Sequence, residues 1–355
     1  MDEQQKSAGT RREVPLQLKS WEGEQHIHLQ LNEKRIRRMI WATRFRVARS
    51  VIATGVMVLF FYLLYMAAVN IVFVKSDYNY KFARYLITMA NTHEQGLRIR
   101  SAPNVEVNGL LTQNMKLNLY RKVGQWDIKE GELTGKKHIF GPYTYRTDVE
   151  SKYWQGSPSF SYAVPGGLLK GGPDSEMNRT DSADTWNQIA HIGDGFVAEM
   201  GFSLMRGMQP EELMTMLDKY DLTLLSMPVY AGEIREFKPN FSSSSGNLIQ
   251  VQHLTLQPRV LFNENHSLSG WSTGLGAGNI EEAKQGLLED MEWLLSEGSY
   301  NGSETDELRL DYLKRNGIYV YGAVVTGPIR ELEKLQEEEL LHEFKLGAVE
   351  VWNWH

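Results

Sequence analysis

VIATGVMVLFFYLLYMAAVNIVFV, residues 51–74, is the one long apolar stretch of this chain without an acid or a base. As a helix it is about 36 Å long, more than the ~30 Å of a bilayer's hydrocarbon core. Fourteen of its 24 residues are Leu, Ile, Val or Phe, and each favours insertion by roughly 0.3–0.6 kcal/mol near the bilayer centre. Asn70 is its one strongly polar residue and lies close to one end. The core helix of a soluble domain would show a polar face. A cleaved signal peptide would have a shorter apolar run and a small-residue cleavage site. The stretch reads as a membrane span.

The flanking charges give the orientation. Residues 33–50 carry seven bases and residues 75–92 carry three. Bases resist translocation, so the expected topology is single-pass in the cell membrane, with the N-terminus cytoplasmic and the C-terminus extracytoplasmic. Residues 1–50 hold 11 bases against 6 acids, and residues 51–355 hold 27 against 38. A basic inner segment suits an anionic leaflet or an acidic protein surface. The acidic remainder offers no electrostatic case for direct contact with nucleic acid. Cysteine is absent, which excludes disulfides, thiolate nucleophiles and Cys-type zinc sites. The outer body is nevertheless long enough for one or two sizeable cores. Its Asn-x-Ser/Thr triplets, at Asn178, Asn240, Asn265 and Asn301, read as chance in Ser/Asn-rich loops.

Residues 1–50 form the basic cytoplasmic segment. Residues 1–13 are polar and lack core-forming residues, and the alternation of 14–31 suggests a short hairpin. His26 and His28 would share a strand face without further ligands nearby, so they read as a polar face. From Asn32 a helix can run unbroken into the apolar stretch. Ile36, Ile40, Thr43 and Val47 recur near helical spacing, with arginines around them. One reading is a juxtamembrane anchor on lipid headgroups. The other is a docking helix for a cytoplasmic protein, through Ile36, Arg37, Arg38, Ile40, Trp41, Arg44 and Val47.

Beyond the span, residues 75–155 are expected to form a β-rich domain. It begins with a helical connector over 78–100 and continues in strands over 105–107, 115–120 and 138–145. Residues 156–190 read as a loop or linker. In residues 191–355, strand–helix–strand occurs twice, over 196–230 and 317–352, each helix opening near a proline followed by acids. Two such units suggest a ferredoxin-like arrangement. Strands over 248–256 and 259–262, a Ser-rich loop from Phe241, and a helix over 280–296 capped by Asn279 and Glu282 lie between them. The fold class is therefore α+β: one span and a mixed α/β outer body.

The chemistry-bearing patterns are weak. Gly274, Gly276 and Gly278 lack the Lys-Ser/Thr of a phosphate cradle and read as a glycine-rich turn. Thr326-Gly327-Pro328 reads as an ordinary strand-to-helix turn. His191 stands near Asp184 and Asp194, but no nucleophile elbow, HExxH or SxxK accompanies it. The acid pairs Glu211/Glu212 and Glu281/Glu282 serve helix first turns. No catalytic residue, metal ligand or cofactor is assigned, and the chain is not expected to be an enzyme.

The run from Gly317 to Leu335, GIYVYGAVVTGPIRELEKL, closed by Gly347-Ala-Val-Glu-Val-Trp352, resembles the C-terminal domain of the sigma factor regulator family of Gram-positive bacteria. Leu224-Leu-Ser-Met-Pro-Val-Tyr-Ala-Gly232 is similar to an earlier piece of it. The span with Pro103-Asn-Val and the strands after it resembles the family's N-terminal domain. The resemblance implies a non-enzymatic membrane anti-sigma factor of a sigma-M-like extracytoplasmic-function sigma factor, with an outer domain responding to envelope stress. Its expected partners are that sigma factor, membrane lipids and a second small membrane protein. The alternatives are an outer binding or assembly module for wall or lipid components, and an ectoenzyme. Protease added to intact cells should degrade the polypeptide down to residues 1–50 and the span; protection of the larger part would reverse the topology.

Overall fold

The computed structural model describes residues 33–100, 103–149, 160–169, 182–239, 242–245, 248–262, 268–269 and 274–352. The expected hairpin of residues 14–31, His26, His28, Asn178, Asn240, Asn265 and parts of 156–190 lie outside them. Two units are distinguished, Met1–Tyr65 and Met66–His355.

Helix α1, Glu33–Lys75, has 43 residues, about 64 Å at ~1.5 Å per residue. It contains no proline and one glycine, Gly55, so nothing in its backbone forces a break. Its apolar side chains are exposed on every side, with Phe60 57% and Phe61 61% exposed. Such a surface suits lipid rather than water. Among the described residues α1 is the one helix long and apolar enough to cross a membrane. Its last turns differ, for Val69 and Phe73 are buried and the Phe73 ring lies 5.6 Å from Tyr78. Ser76 and Asp77 join α1 to α2, Tyr78–His93. Asp77 adopts left-handed backbone angles, φ 56°, which Asp tolerates better than most residues.

The first sheet contains β1 (Leu97–Ile99), β2 (Val105–Val107), β3 (Thr112–Val123), β4 (Trp126–His138) and β5 (Tyr143–Val149). Its order is β1-β3-β4-β5, with β2 also on β3 and every pair antiparallel. The strand expected over 138–145 is interrupted by the β4–β5 turn at residues 139–142, with Phe140 87% exposed at its tip, and its second half begins β5. The strand that the sequence hides is β4, concealed by glycines and alternating charges.

The second sheet is built from β6 (Phe196–Met208), β7 (Thr223–Tyr230), β10 (Leu254–Leu256), β13 (Tyr319–Pro328) and β14 (Leu341–Val351). Helix α3 (Ala183–Ala190) precedes it and α4 (Pro210–Leu217) joins β6 to β7. The hairpins β8 (Ser242–Ser245) with β9 (Leu248–Val251), and β11 (Leu261–Phe262) with β12 (Leu268–Ser269), flank β10 in the chain. Helices α5 (Ile280–Glu297) and α6 (Ser303–Asn316) lead to β13, and α7 (Ile329–Lys334) joins β13 to β14. The order is β10-β7-β13-β6-β14, with all neighbours antiparallel. Thus β6 and β7 are parallel with β13 between them, and β13 and β14 are parallel with β6 between them. This is the doubled split β-α-β of a ferredoxin-like sheet, with β10 added at one edge.

Three local expectations change. The serine run is a strand, β8, rather than a loop. Asn279 precedes α5 but makes no side-chain cap. It turns its amide back to Gly276 N and Gly274 O, at 2.8 and 3.0 Å. The connector over 78–100 stops at His93, and Gly96, at φ 61°, turns the chain into β1.

Helix α2 lies between the first sheet and α5. Having partners on two sides, it buries Phe82, Ala83, Tyr85, Leu86, Ile87, Met89 and Ala90. Burying each large apolar side chain contributes about 1.5–3 kcal/mol before entropy is counted. The close approach to β4 requires Gly135, where a Cβ would lie 2.2 Å from the Leu86 side chain. Gly135→Ala should therefore destabilise the fold by about 1–3 kcal/mol through overpacking. Denaturant unfolding of the detergent-solubilised chain measures this, and an unchanged midpoint would remove α2 from that position.

Candidate functional site

The sequence-assigned contact residues all lie on α1 and are exposed. At about 100° per residue, Ile36, Val47 and Ile40 fall within ~40° of one another, with Arg44, Arg37 and Trp41 following within a further ~100°. Arg38 falls on the opposite flank, with Arg35, Arg46 and Arg49. The helix thus brings together six of the seven residues and separates Arg38 from them. Ile36 and Ile40 are 45% exposed and Trp41 73%. The surface is an apolar stripe bordered by guanidinium groups, suited to an amphipathic or acidic partner helix.

The sequence does not announce two buried ionic centres in the body. In the first, Arg121 of β3 donates from Nε to Glu130 of β4 and from Nη1 to Glu199 of β6, both at 3.0 Å. All three side chains are at most 2% exposed. The pair with Glu199 joins the first sheet to the second. The other Glu199 oxygen lies against the Gly347–Ala348 backbone, and Phe160 lies beside the guanidinium, 5.6 Å from ring centre to Cζ. Burial pushes Glu199 up to about 7 against the pull of Arg121. A lone acid inside the apolar stretch Phe196–Met208 was the available signal, since an unpaired charge is not left in a buried strand.

In the second centre, Asp306 of α6 accepts from His93 Nε2 at 3.0 Å, Tyr300 Oη at 2.8 Å and Arg309 Nη1 at 3.0 Å. Arg309 also donates to Glu233 at 2.9 Å and to the Gln252 carbonyl. Burial alone would raise Asp306, but His93, Arg309 and Tyr300 hold it down at about 2. Burial keeps neighbouring His253 neutral, lowered to about 3. A cleft of about 500 Å³ opens over this centre, between residues 143–147 of β5 and the start of α6.

The other sequence candidates serve the fold. Among the described residues His191 pairs with no acid: its Nδ1 meets the Asn187 carbonyl at 2.6 Å, and Asp194 pairs with Arg330 at 2.6 Å. Gly274 allows Leu275 to bond Leu224, N to O 2.7 Å. Thr326 donates to Ala198 O and accepts from Gly124 N, both at 2.7 Å, pinning the β3–β4 turn onto the second sheet. Among the described residues no group of three or more His or acid side chains could hold a metal ion.

Residues 189–348 match the family model of the sigma factor regulator C-terminal domain. That stretch of the chain is similar to the C-terminal domain of sigma factor regulators. The matched region begins within α3 and takes in all but the end of the second sheet. One stretch of 46 residues is 46% identical to the Probable anti-sigma-M factor YhdL of Bacillus subtilis, and this match spans 13% of each chain. No solved structure matches.

Removing Arg121 leaves two buried carboxylates without their cation, so Arg121→Ala should cost about 3–5 kcal/mol. The Glu199 carboxyl is raised from 4.5 to about 7 on folding. The folded state therefore holds the extra proton between these values. Its contribution is complete below about pH 4.5 and is lost as pH rises through about 7. Glu199→Gln should flatten that part of the stability–pH curve, measured by denaturant unfolding from pH 4.5 to 8. A curve with unaltered slope would mean that Glu199 does not titrate there.

Proposed function

We propose that this protein is a membrane-anchored anti-sigma factor that holds an extracytoplasmic-function sigma factor against the basic face of α1. The observation that carries the reading is a sigma factor regulator domain on the same chain as one span-length helix, preceded by a helical basic stripe. Sequestration needs no bond chemistry, only occlusion of the sigma surface that meets polymerase. Seven bases before the apolar stretch support an inner location for residues 1–50 and an outer location for the body. In this reading the body senses envelope stress, and two arrangements of the span differ in their affinity for the sigma factor.

The arc of residues 36–47 sets the expected ranking of variants. Ile40→Glu with Val47→Glu should weaken capture of the sigma factor by at least about tenfold, ~1.4 kcal/mol. Arg37→Glu should weaken it more than Arg38→Glu, which lies off the stripe. Co-purification from membranes with equal amounts of each variant measures this. Undiminished capture by the double variant would remove α1 as the docking element.

A further inference from the structure

We propose that the cleft between β5 and α6 binds a neutral saccharide of one or two rings. This inference is independent of the anti-sigma reading, because it concerns only groups in the body and needs no sigma factor.

The argument starts from charge. Asp306 accepts from three donors, and Arg309 donates to Asp306, Glu233 and the Gln252 carbonyl. Arg146, at the rim, is paired with Asp148 at 2.7 Å. Each charge that faces the cleft already has its counter-charge. A charged ligand reaching for Asp306 or Arg309 would have to break a buried pair, which is costly, whereas the exposed Arg146–Asp148 pair at the rim contributes little to the choice.

The groups left over are neutral. The side chains of Asn301, Thr305 and Gln252 line the cleft, and none donates or accepts a side-chain hydrogen bond among the described residues. Carboxamides and hydroxyls each offer both a donor and an acceptor, the combination that matches vicinal hydroxyl or acetamido groups. Tyr143 and Tyr145 also line the cleft; the Tyr143 ring is taken up by Tyr85 and by Lys137 Nζ, 4.0 Å from its centre, which leaves half-buried Tyr145 to offer apolar ring surface to the C–H side of a pyranose. Behind them the Tyr85 ring stacks on Tyr143 at 4.1 Å, and its fully buried hydroxyl has no partner among the described residues.

The backbone adds to this. Five consecutive residues, 143–147, line the cleft, although successive side chains of a strand point to opposite faces. The cleft therefore runs along the edge of β5, where every second N–H and C=O points away from β4. Among the described residues only Tyr143 is engaged there, in a parallel bridge with Tyr300. An extended peptide could also use that edge, but it would need pockets for alternate side chains. Met89 is the one aliphatic side chain in the lining, so such anchors are missing. The volume, about 500 Å³, falls within the range of small-molecule sites.

The test is calorimetric titration of the detergent-solubilised full chain. The probes are glucose, N-acetylglucosamine and its β-1,4-linked disaccharide, with glucuronate and a Gly-Ser peptide as comparisons. Saturable millimolar or tighter binding of at least one neutral saccharide is expected, with glucuronate and the peptide weaker. Asn301→Ala and Gln252→Ala, both at exposed positions, should each reduce affinity at least tenfold without moving the thermal transition. The inference is overturned if no neutral saccharide saturates. It is also overturned if glucuronate or the peptide binds more tightly, or if binding survives both substitutions together.

Discussion

Arg121 connects three strands from two sheets. Without its guanidinium, Glu130 and Glu199 would be two carboxylates within a dry interface. With it, β3, β4 and β6 share one fixed point. The arrangement is demanding rather than strongly stabilising, since desolvation consumes most of the Coulombic gain of a buried pair. Its effect is on geometry. A one-residue slip in the pairing of β3 with β4 would turn Arg121 to the other face and strand both acids. Thr326 reinforces the same register by holding the Gly124 amide from β13. The sheet junction is thus fixed by polar groups with direction, while the two apolar clusters on either side supply the bulk of the burial.

The ferredoxin-like sheet was largely legible because its elements follow local rules. Apolar strands are long, α4 opens on Pro210, and acids occupy its first turn. The elements that escaped are those whose inward residues are polar or absent. Strand β4 reads as charged and glycine-broken, yet Gly135 is the hollow that receives Leu86. Helix α6, SETDELRLDYLKRN, has few apolar residues, so its periodicity does not show. Its buried face includes Asp306 and Arg309, which pair with groups brought from α2, Tyr300 and Glu233. A residue scale that places charges outside misses such a helix. Asn279 shows a third kind of limit, since the sequence names a cap but not which way its amide turns.

The same distinction holds for the two proposed surfaces. The stripe on α1 comes from twelve consecutive residues, and helical spacing alone separates Ile36, Ile40 and Val47 from Arg38. The cleft over Asp306 draws on α2, β5, Gln252 and the start of α6, segments more than 200 residues apart at the extremes. No local pattern encodes it, because its neutrality exists only when His93, Asp306, Arg309 and Glu233 have met.

The joint between α1 and α2 has a mechanical meaning. Ser76 and Asp77 are its whole length, and Asp77 is held at a left-handed angle between two hydrogen-bonded turns. On one side Phe73 is wedged into the protein; on the other α2 is clasped along most of its circumference. There is no slack tether in which a twist of the final turns of α1 could dissipate. Torsion at Phe73 is delivered directly to α2, making that helix a crankshaft rather than a spacer.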